Sequence, residues 1–333
     1  MKLVEQMNIL VTGATGFIGT HLTRALLAQG FHCTCLVRPT SNIVELTELD
    51  NIRIVQGDIA DKASLKNTMA DVQVIYHLAG QIGEWGVPDE KFFAVNVEGT
   101  RNLLEAANSG GVKHFIFFST PGVQGKGHAS ASEELPYNPP HIYEFTKAEA
   151  EKIVMAFSEK GGNLQVTIVR PDFVYGPGDL RRLPLYRAIR DRKFFLIGNG
   201  MTLLHPTFIE DAAQGFCLLA NNPVAFGQIY NIAGPRTMTV REYGQTIAKA
   251  LDVPLPRLRL PILFARSLAK LFESASRING RAPLLSLSKV DFLTKDHGSD
   301  ISKAVRQLGY RPRIDFREGI RRTIDWYSQR GLL

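Results

Sequence analysis

Val11-Thr12-Gly13-Ala14-Thr15-Gly16-Phe17-Ile18-Gly19 is the stretch that decides how this chain folds. An apolar run at 8–12 precedes it, and a segment of helical periodicity runs from it to Gln29, so it is a turn between a strand and a helix. Gly13 permits the tight turn, Gly16 lets backbone N–H groups approach a pyrophosphate, and Gly19 lets helix and strand pack closely. The helix then presents its positive dipole end to a bound anion. A glycine triplet alone is weak evidence; one with a strand before it and a helix after it is specific.

Working outward, β-rich runs recur at 31–37, 52–56, 74–78, 114–119 and 165–169, and helical segments such as 97–108 and 145–160 fit between them. Strands that are apolar almost throughout and alternate with helices belong to a parallel sheet covered on both faces. Right-handed crossovers make that sheet doubly wound, an α/β Rossmann fold. After Arg170 the texture changes: Pro171, Pro177 and Pro184 with Gly176 and Gly178 break the chain, and Pro254, Pro256 and Pro261 precede a helix at 262–277. The expected division is a dinucleotide-binding domain over 1–175, to which a part near 205–235 returns with a strand at 227–233. A smaller substrate-binding lobe is expected over 176–333. No repeat or low-complexity tract appears.

Composition narrows the function classes. The chain has 333 residues, 44% hydrophobic and 21% charged, as an ordinary globular protein does. No run reaches the roughly 18 apolar residues of a membrane span, and residues 1–6 lack the pattern of a secretory signal. Cys33, Cys35 and Cys217 form no CxxC pair, so neither a disulfide framework nor a metal site is expected, and a cytoplasmic location fits. The net charge of +7 invites a nucleic-acid reading, but the basic residues are scattered and no nucleic-acid motif accompanies them. The one cluster, Arg181, Arg182, Arg187, Arg190, Arg192 and Lys193, reads as a solvated helix face or as an attractor of anionic substrate.

The second strand chooses the cofactor. An acidic residue at its end would bind the ribose hydroxyls of NAD. Here it ends Val37-Arg38-Pro39-Thr40-Ser41. The Arg38 guanidinium, followed by hydroxyls, suits a 2′-phosphate, so NADP(H) is favoured and NAD(H) remains possible, with Arg38 then stacked on adenine. Asp58, after the third strand, either hydrogen-bonds the adenine amino group or caps the next turn.

Tyr143 and Lys147 stand four apart at the start of a helix and so share a face. A free tyrosine has a pKa near ~10, and a neighbouring ammonium favours the phenolate. Such a tyrosine exchanges a proton with a carbonyl or alcohol oxygen while hydride moves. Thr120 arrives at the carboxyl end of the fifth strand, where ligands bind in open α/β sheets, and its hydroxyl can share charge developing on that oxygen.

With these residues in view, the chain resembles the extended short-chain dehydrogenase/reductases, the group of NAD-dependent epimerases, dehydratases and 3β-hydroxysteroid dehydrogenases. The resemblance spans nearly the whole sequence. It rests on TGATGFIG, GDI, Tyr76-His77-Leu78-Ala79-Gly80, Asn96-Val97-Glu98-Gly99-Thr100, FST, YEFTK and Arg170-Pro171-Asp172-Phe173-Val174-Tyr175-Gly176-Pro177-Gly178-Asp179, with Asp300-Ile301-Ser302-Lys303-Ala304 and Leu308-Gly309-Tyr310-Arg311-Pro312 near the end. It implies a catalytic set of Thr120, Tyr143 and Lys147, with Lys147 also holding the nicotinamide ribose. It implies cofactor contacts from Gly13, Thr15, Gly16, Phe17, Ile18, Gly19, Arg38, Asp58, Ile59, Leu78, Ala79, Gly80 and Pro171, a supporting role for Asn96 in the sheet, and a homodimer paired through the helices at 97–108 and 145–160.

Departures within that resemblance choose a branch. The acidic pair that serves dehydration is replaced by Pro121 and Gly122. The arginine that grips a sugar nucleotide's diphosphate is replaced by Leu204, and Leu293 to Gly298 lacks the second basic element. What remains resembles the 3β-hydroxysteroid dehydrogenase and dihydroflavonol reductase-like branch. The implied reaction is hydride transfer between nicotinamide and the alcohol–ketone pair of a fairly apolar small molecule. The alternative is a nucleotide-sugar 4-epimerase with retained NAD. Phe194, Phe195, Leu203, Leu204 and the 260–285 region are either pocket walls or lobe core, and His205 reads as a structural histidine.

Overall fold

The computed structural model describes residues 7–83, 85–159, 163–256 and 258–333; the leader reading of residues 1–6 and a helix end at Lys160 fall outside these. Seven parallel strands form one sheet: β1 (Asn8–Thr12), β2 (His32–Val37), β3 (Ile52–Gln56), β4 (Val74–His77), β5 (His114–Phe118), β6 (Gln165–Pro171) and β7 (Gln228–Ile232). Their order is β7-β6-β5-β4-β1-β2-β3, reversing direction between β1 and β4. That is the doubly wound Rossmann arrangement, and its reversal opens a crevice at the carboxyl ends of the strands. The strand at 227–233 does return to the sheet, pairing beside β6.

Each face of the sheet has its own core. On one face α1 (Phe17–Ala28) packs beside Ile209–Cys217 over Ile9, Val11, Tyr76 and Phe118, and the Tyr76 hydroxyl donates to the Phe216 carbonyl at 2.9 Å. On the other, α2 (Gly99–Ser109) and α3 (Ile142–Glu159) cover Leu10, Ile75, Phe115, Phe117, Val166 and Ile168. Burial on both faces explains why these strands read as unbroken apolar runs. α2 continues from a π-helical turn, Phe93–Glu98; the sequence reading starts the helix at 97 and assigns no structure to 93–96. Such turns widen a helix by one residue and gather at functional sites.

Beyond β6 the chain adds two-residue strand pairs. Val174–Tyr175 lies beside Thr207–Phe208, Leu203–Leu204 beside Met238–Thr239, and Leu196–Ile197 beside Arg259–Leu260. The helix Ile262–Asn279 buries Ala265 and Ala269 against Ile197, Leu285 and Val290, and exposes Leu263, Leu271 and Ile278. Among the described residues no helix is long and apolar enough to cross a membrane.

One buried ion pair fixes the sheet to α3. Arg170 of β6 and Glu151 of α3 are 1% and 0% exposed and meet through two bonds of 2.6 and 2.9 Å. The Tyr137 hydroxyl also donates to Glu151 at 2.9 Å, and Arg170 Nη1 donates to the Glu133 carbonyl. A pair this dry survives because its remaining bonding capacity is met. Cys33, Cys35 and Cys217 are buried free thiols, and burial pushes all three above the usual thiol range.

Candidate active site

The glycine turn opens at the crevice. Gly13 sits at φ +70°, and a side chain there would meet the main chain of Leu78 and Ala79 within 2.9 Å. At Gly19 a Cβ would stand 2.1 Å from the Gly13 carbonyl oxygen. Both glycines are therefore required by the protein's own packing. Gly16 differs: a Cβ there would meet only the Gly13 oxygen, at 3.3 Å. Its bare face is turned outward at the start of α1, where no side chain caps the helix and the first turn holds no acid. Thr15 and Gly16 are exposed, and Phe17 and Ile18 partly so. An uncapped, acid-free helix start behind an open glycine fits a pyrophosphate.

A buried relay holds the loop opposite that turn. The Ala79 N–H donates to Thr12 Oγ1 at 3.1 Å, and the Thr12 hydroxyl meets His77 Nδ1 at 2.8 Å. On the far side of the ring, His77 Nε2 meets Thr100 Oγ1 at 3.0 Å, and Thr100 donates to the Asn96 carbonyl. The donors are used up consistently only if Nε2 carries the proton and Nδ1 accepts. Burial, and after it the Lys147 charge, hold the His77 pKa far below its usual value, so the ring stays neutral. Asn96, in the π-helical turn, accepts from the Gln81 N–H at 2.7 Å and donates to the Gln81 carbonyl and to Thr146 Oγ1, both at 3.0 Å. It thus ties the Leu78–Ala79–Gly80 loop to α3. The sequence reading gave Asn96 a role in the sheet; its side chain instead clamps loop to helix.

Tyr143 lies in the first turn of α3 and Lys147 one turn later. Lys147 is 4% exposed, with its ammonium 4.0 Å from the centre of the Phe117 ring on β5. Burial brings its pKa down to about 7, against an opposing pull from Glu151. Tyr143 departs from expectation. Burial pushes its phenol up to about 12, Glu144 pushes the same way, and Arg181 pulls it down. Lys147 is not what sets this value, because desolvation of the phenolate outweighs the charges around it. Thr120 caps the short turn Pro121–Gln124: its oxygen accepts from the Gly122 N–H at 3.2 Å. That bond occupies an oxygen lone pair and leaves the hydroxyl proton free to donate.

The remaining expected residues are placed as follows. Arg38 is exposed at the end of β2. Asp58 Oδ1 accepts from the Ala60 N–H at 2.9 Å, so one carboxylate oxygen does hold the following turn. Ile59 packs its side chain against Gly99 in the core, and its carbonyl accepts from Asn102 Nδ2 at 3.0 Å, leaving its N–H for any cofactor contact. Pro171 is partly buried at the end of β6. Leu204 is 2% exposed and belongs to the core; Phe194, Phe195 and Leu203 are partly exposed. His205 is buried, contacting the Gly234 carbonyl at 2.9 Å and accepting from the Ser299 N–H at 3.3 Å. The basic cluster is not one open stripe. Arg182 pairs with Asp179 at 2.5 Å and lies 4.1 Å from the centre of the Phe173 ring, while Arg190 pairs with Asp191.

The sequence reading did not single out the aromatic ladder beyond β6. Phe173 holds φ +33°, a strained value for a bulky residue. It stacks on Phe292 at 5.4 Å and 23° and meets the edge of Tyr243 at 5.4 Å; Phe292 in turn stands 4.8 Å from His297. Burial takes His297 down to about 4, so its ring is neutral. The available signal was an aromatic in the Arg170–Asp179 motif, but its partners lie 70 and 119 residues further along the chain.

Residues 9–233 match the NAD dependent epimerase/dehydratase family. The chain belongs to that family. Its wider group is the extended short-chain dehydrogenase/reductases, NAD-dependent enzymes that include dehydrogenases, reductases and epimerases. Among curated relatives, the 3beta-hydroxysteroid-dehydrogenase/decarboxylase isoform 1 of Arabidopsis thaliana is 30% identical, over 96% of this chain and 79% of its own. A 2-alkyl-3-oxoalkanoate reductase of Stenotrophomonas maltophilia is 28% identical, over 95% and 98%. Among solved structures, the UDP-glucuronic acid 4-epimerase of Bacillus cereus, in complex with UDP-glucuronic acid and NAD, superposes with a TM-score of 0.78 at 26% identity, over 97% and 99%. Family members thus include both net redox enzymes and epimerases.

Proposed function

We propose that this protein is an NAD(P)-dependent dehydrogenase/reductase that interconverts a secondary alcohol and a ketone on a largely apolar small molecule. When bound, the nicotinamide supplies or accepts the hydride. Residues 1–175, with 205–235, hold the cofactor, and 176–333 contribute most of the substrate lobe. Gly13, Thr15, Gly16, Phe17, Ile18 and Gly19 receive the pyrophosphate. Asp58, through its second oxygen, and the Ile59 main chain meet the adenine. Leu78, Ala79, Gly80 and Pro171 line the path to the nicotinamide, and Lys147 holds the ribose. Thr120 donates its free hydroxyl proton to the carbonyl oxygen, and Tyr143 delivers the proton that completes reduction.

The observation that carries this reading is the placement of Tyr143 and Lys147 on successive turns at the start of α3, with the Lys147 ammonium 4.0 Å from the Phe117 ring of β5 and Thr120 just beyond the end of that strand. Tyr143, a phenol at pH 7, is then able to give a proton to a carbonyl oxygen. The steroid dehydrogenase and oxoalkanoate reductase relatives support an alcohol–ketone pair, and the Phe173–Phe292 ladder supports an apolar body. Arg38 favours NADP(H) by its guanidinium. The test is reduction of a panel of cyclic and branched ketones, followed by loss of NADPH or NADH absorbance. Arg38→Ala is expected to weaken NADPH binding at least tenfold more than NADH binding; equal effects would remove the phosphate role.

The second reading, a nucleotide-sugar 4-epimerase, is favoured by the likeness to the UDP-glucuronic acid epimerase. Leu204 in the core, where the resemblance expects a diphosphate-binding guanidinium, weighs against it. NAD retained through purification would favour it. A homodimer through α2 and α3 is supported by Phe93 and Phe145, which are 39% and 42% exposed and touch edge to face on the outer side of these helices. Light scattering of Phe145→Glu, expected to yield monomer, tests it.

A further inference from the structure

The helix Ile262–Asn279 turns one line of side chains inward and leaves a second apolar line uncovered. Ala265, Ala269, Phe272 and Ser276 recur at helical spacing on the covered side. Phe264, Leu271 and Ile278 follow one another at seven-residue steps, two turns each, and so form a line of their own. With Leu263 they are between 57% and 90% exposed. Leu258, in the chain entering the helix, and Leu284, in the chain leaving it, are exposed as well. A surface helix ordinarily turns polar side chains away from the core, and a contiguous exposed apolar patch marks a surface that meets something else.

Charge identifies what it meets. Arg266, Lys270 and Arg277 run along one flank of the helix, and Ser267 and Ser274 lie between that flank and the apolar line. Arg266 is paired with Asp291, but among the described residues Lys270 and Arg277 have no acidic partner. The helix holds one acid, Glu273, which is half-buried and accepts from the Leu287 N–H at 2.8 Å. A helix lying in the plane of a bilayer surface has this arrangement: apolar side chains enter the acyl boundary while basic ones stand level with the headgroup phosphates. The long stems of lysine and arginine reach those phosphates from the flank, and the net charge of +7 attracts the same surface at longer range. A second copy of the chain suits the stripe less well. Two such helices laid antiparallel across a two-fold axis would set each basic flank against its own copy.

We propose that the helix Ile262–Asn279 docks this protein on anionic lipid bilayers, lying in the interface without crossing it. Phe264, Leu271 and Ile278 enter the acyl boundary, and Lys270 and Arg277 bind lipid phosphate. Ala265 and Ala269 stay packed against Ile197, Leu285 and Val290, so docking requires no unfolding of the lobe. The proposal is independent of which reaction the active site performs.

The full-length protein is floated with vesicles of phosphatidylcholine alone, or with about a third phosphatidylglycerol, at about 0.1 M and about 0.5 M salt. The expected result is at least roughly tenfold tighter binding to the anionic vesicles at the lower salt, since each basic group near such a surface is worth about fivefold. Most of that gain is lost at the higher salt. Leu271→Ser with Ile278→Ser lowers binding to anionic vesicles by at least roughly tenfold. Lys270→Glu with Arg277→Glu removes the preference for anionic lipid. All four positions lie on the surface, so both double variants keep the wild-type urea midpoint and cofactor affinity. Leu271→Cys carrying an environment-sensitive dye, the three native thiols being buried, brightens and shifts to the blue on anionic vesicles. No flotation of the wild type, equal binding to both vesicle types, or flotation unchanged in both double variants overturns the proposal. So does light scattering that finds a dimer in the wild type and a monomer in Leu271→Ser with Ile278→Ser, which places a second copy on the stripe.

Discussion

Gly16 and Gly19 lie three residues apart in one motif, yet the structure gives them opposite burdens, and alanine separates them. Gly19→Ala places a Cβ 2.1 Å from the Gly13 carbonyl oxygen and 2.8 Å from Ala14 Cα. Both neighbours are main chain and cannot swing aside, so α1 must lift from β1. The expected loss is about 3 kcal/mol, the upper end of what overpacking costs, with cofactor binding weakened as a consequence. Gly16→Ala meets one atom at 3.3 Å and keeps a permitted backbone, φ −84° and ψ 165°. Stability should therefore change by no more than about 1 kcal/mol, the scale of a changed helix cap. Its methyl group, however, stands in the open cradle, and the affinity for NADPH and NADH should fall at least tenfold, about 1.4 kcal/mol. Urea unfolding gives the first quantity and calorimetric titration the second. A Gly16→Ala protein that binds both cofactors like the wild type would show that no pyrophosphate lies against this turn.

Other consequences follow from single groups. Tyr143→Phe should lower ketone reduction by a factor of order 10² or more while cofactor affinity survives; near-normal turnover would remove Tyr143 as the proton donor. Breaking the dry ion pair by Arg170→Met or Glu151→Leu should cost about 3–5 kcal/mol in urea unfolding, and the two together much less than twice that; simple additivity would show the pair is not coupled. Lys147 falls from 10.5 to about 7 on folding, so between these values the unfolded chain binds a proton the folded chain does not. Its contribution to stability rises with pH across that window, by about 1.4 kcal/mol per unit at most. The stability difference between wild type and Lys147→Met, measured without cofactor from pH 7 to 10, should climb accordingly; a flat difference would contradict the burial of a neutral amine.

What the sequence made legible is what repeats locally. Strands buried on both faces show as apolar runs, and the glycine turn shows because its neighbours in space are its neighbours in sequence. Tyr143 and Lys147 share a face by helical spacing alone. The pKa values do not follow from spacing: Lys147 is lowered, and Tyr143 raised, by how much of the fold covers them. Asn96 stands just before the helix read at 97–108 and carries only an implied role in the sheet, yet the π-helical turn aims it at Gln81 and Thr146. Thr12, His77 and Thr100 form a relay across three elements that no local pattern joins. In the C-terminal part, two-residue strands such as Leu196–Ile197 pair with segments some sixty residues away, too short for any period to register. Phe173 and Phe292 meet for the same reason.

The most direct measurement of net hydride transfer uses cofactor deuterated at the transferring face of nicotinamide C4, incubated with the purified protein and the ketone panel, with products read by mass spectrometry. An alcohol one deuterium heavier, formed from added cofactor by wild type and at a rate lower by a factor of order 10² or more by Tyr143→Phe, is the predicted result. Retained NAD, no label in any alcohol, and interconversion of nucleotide-sugar epimers would contradict it.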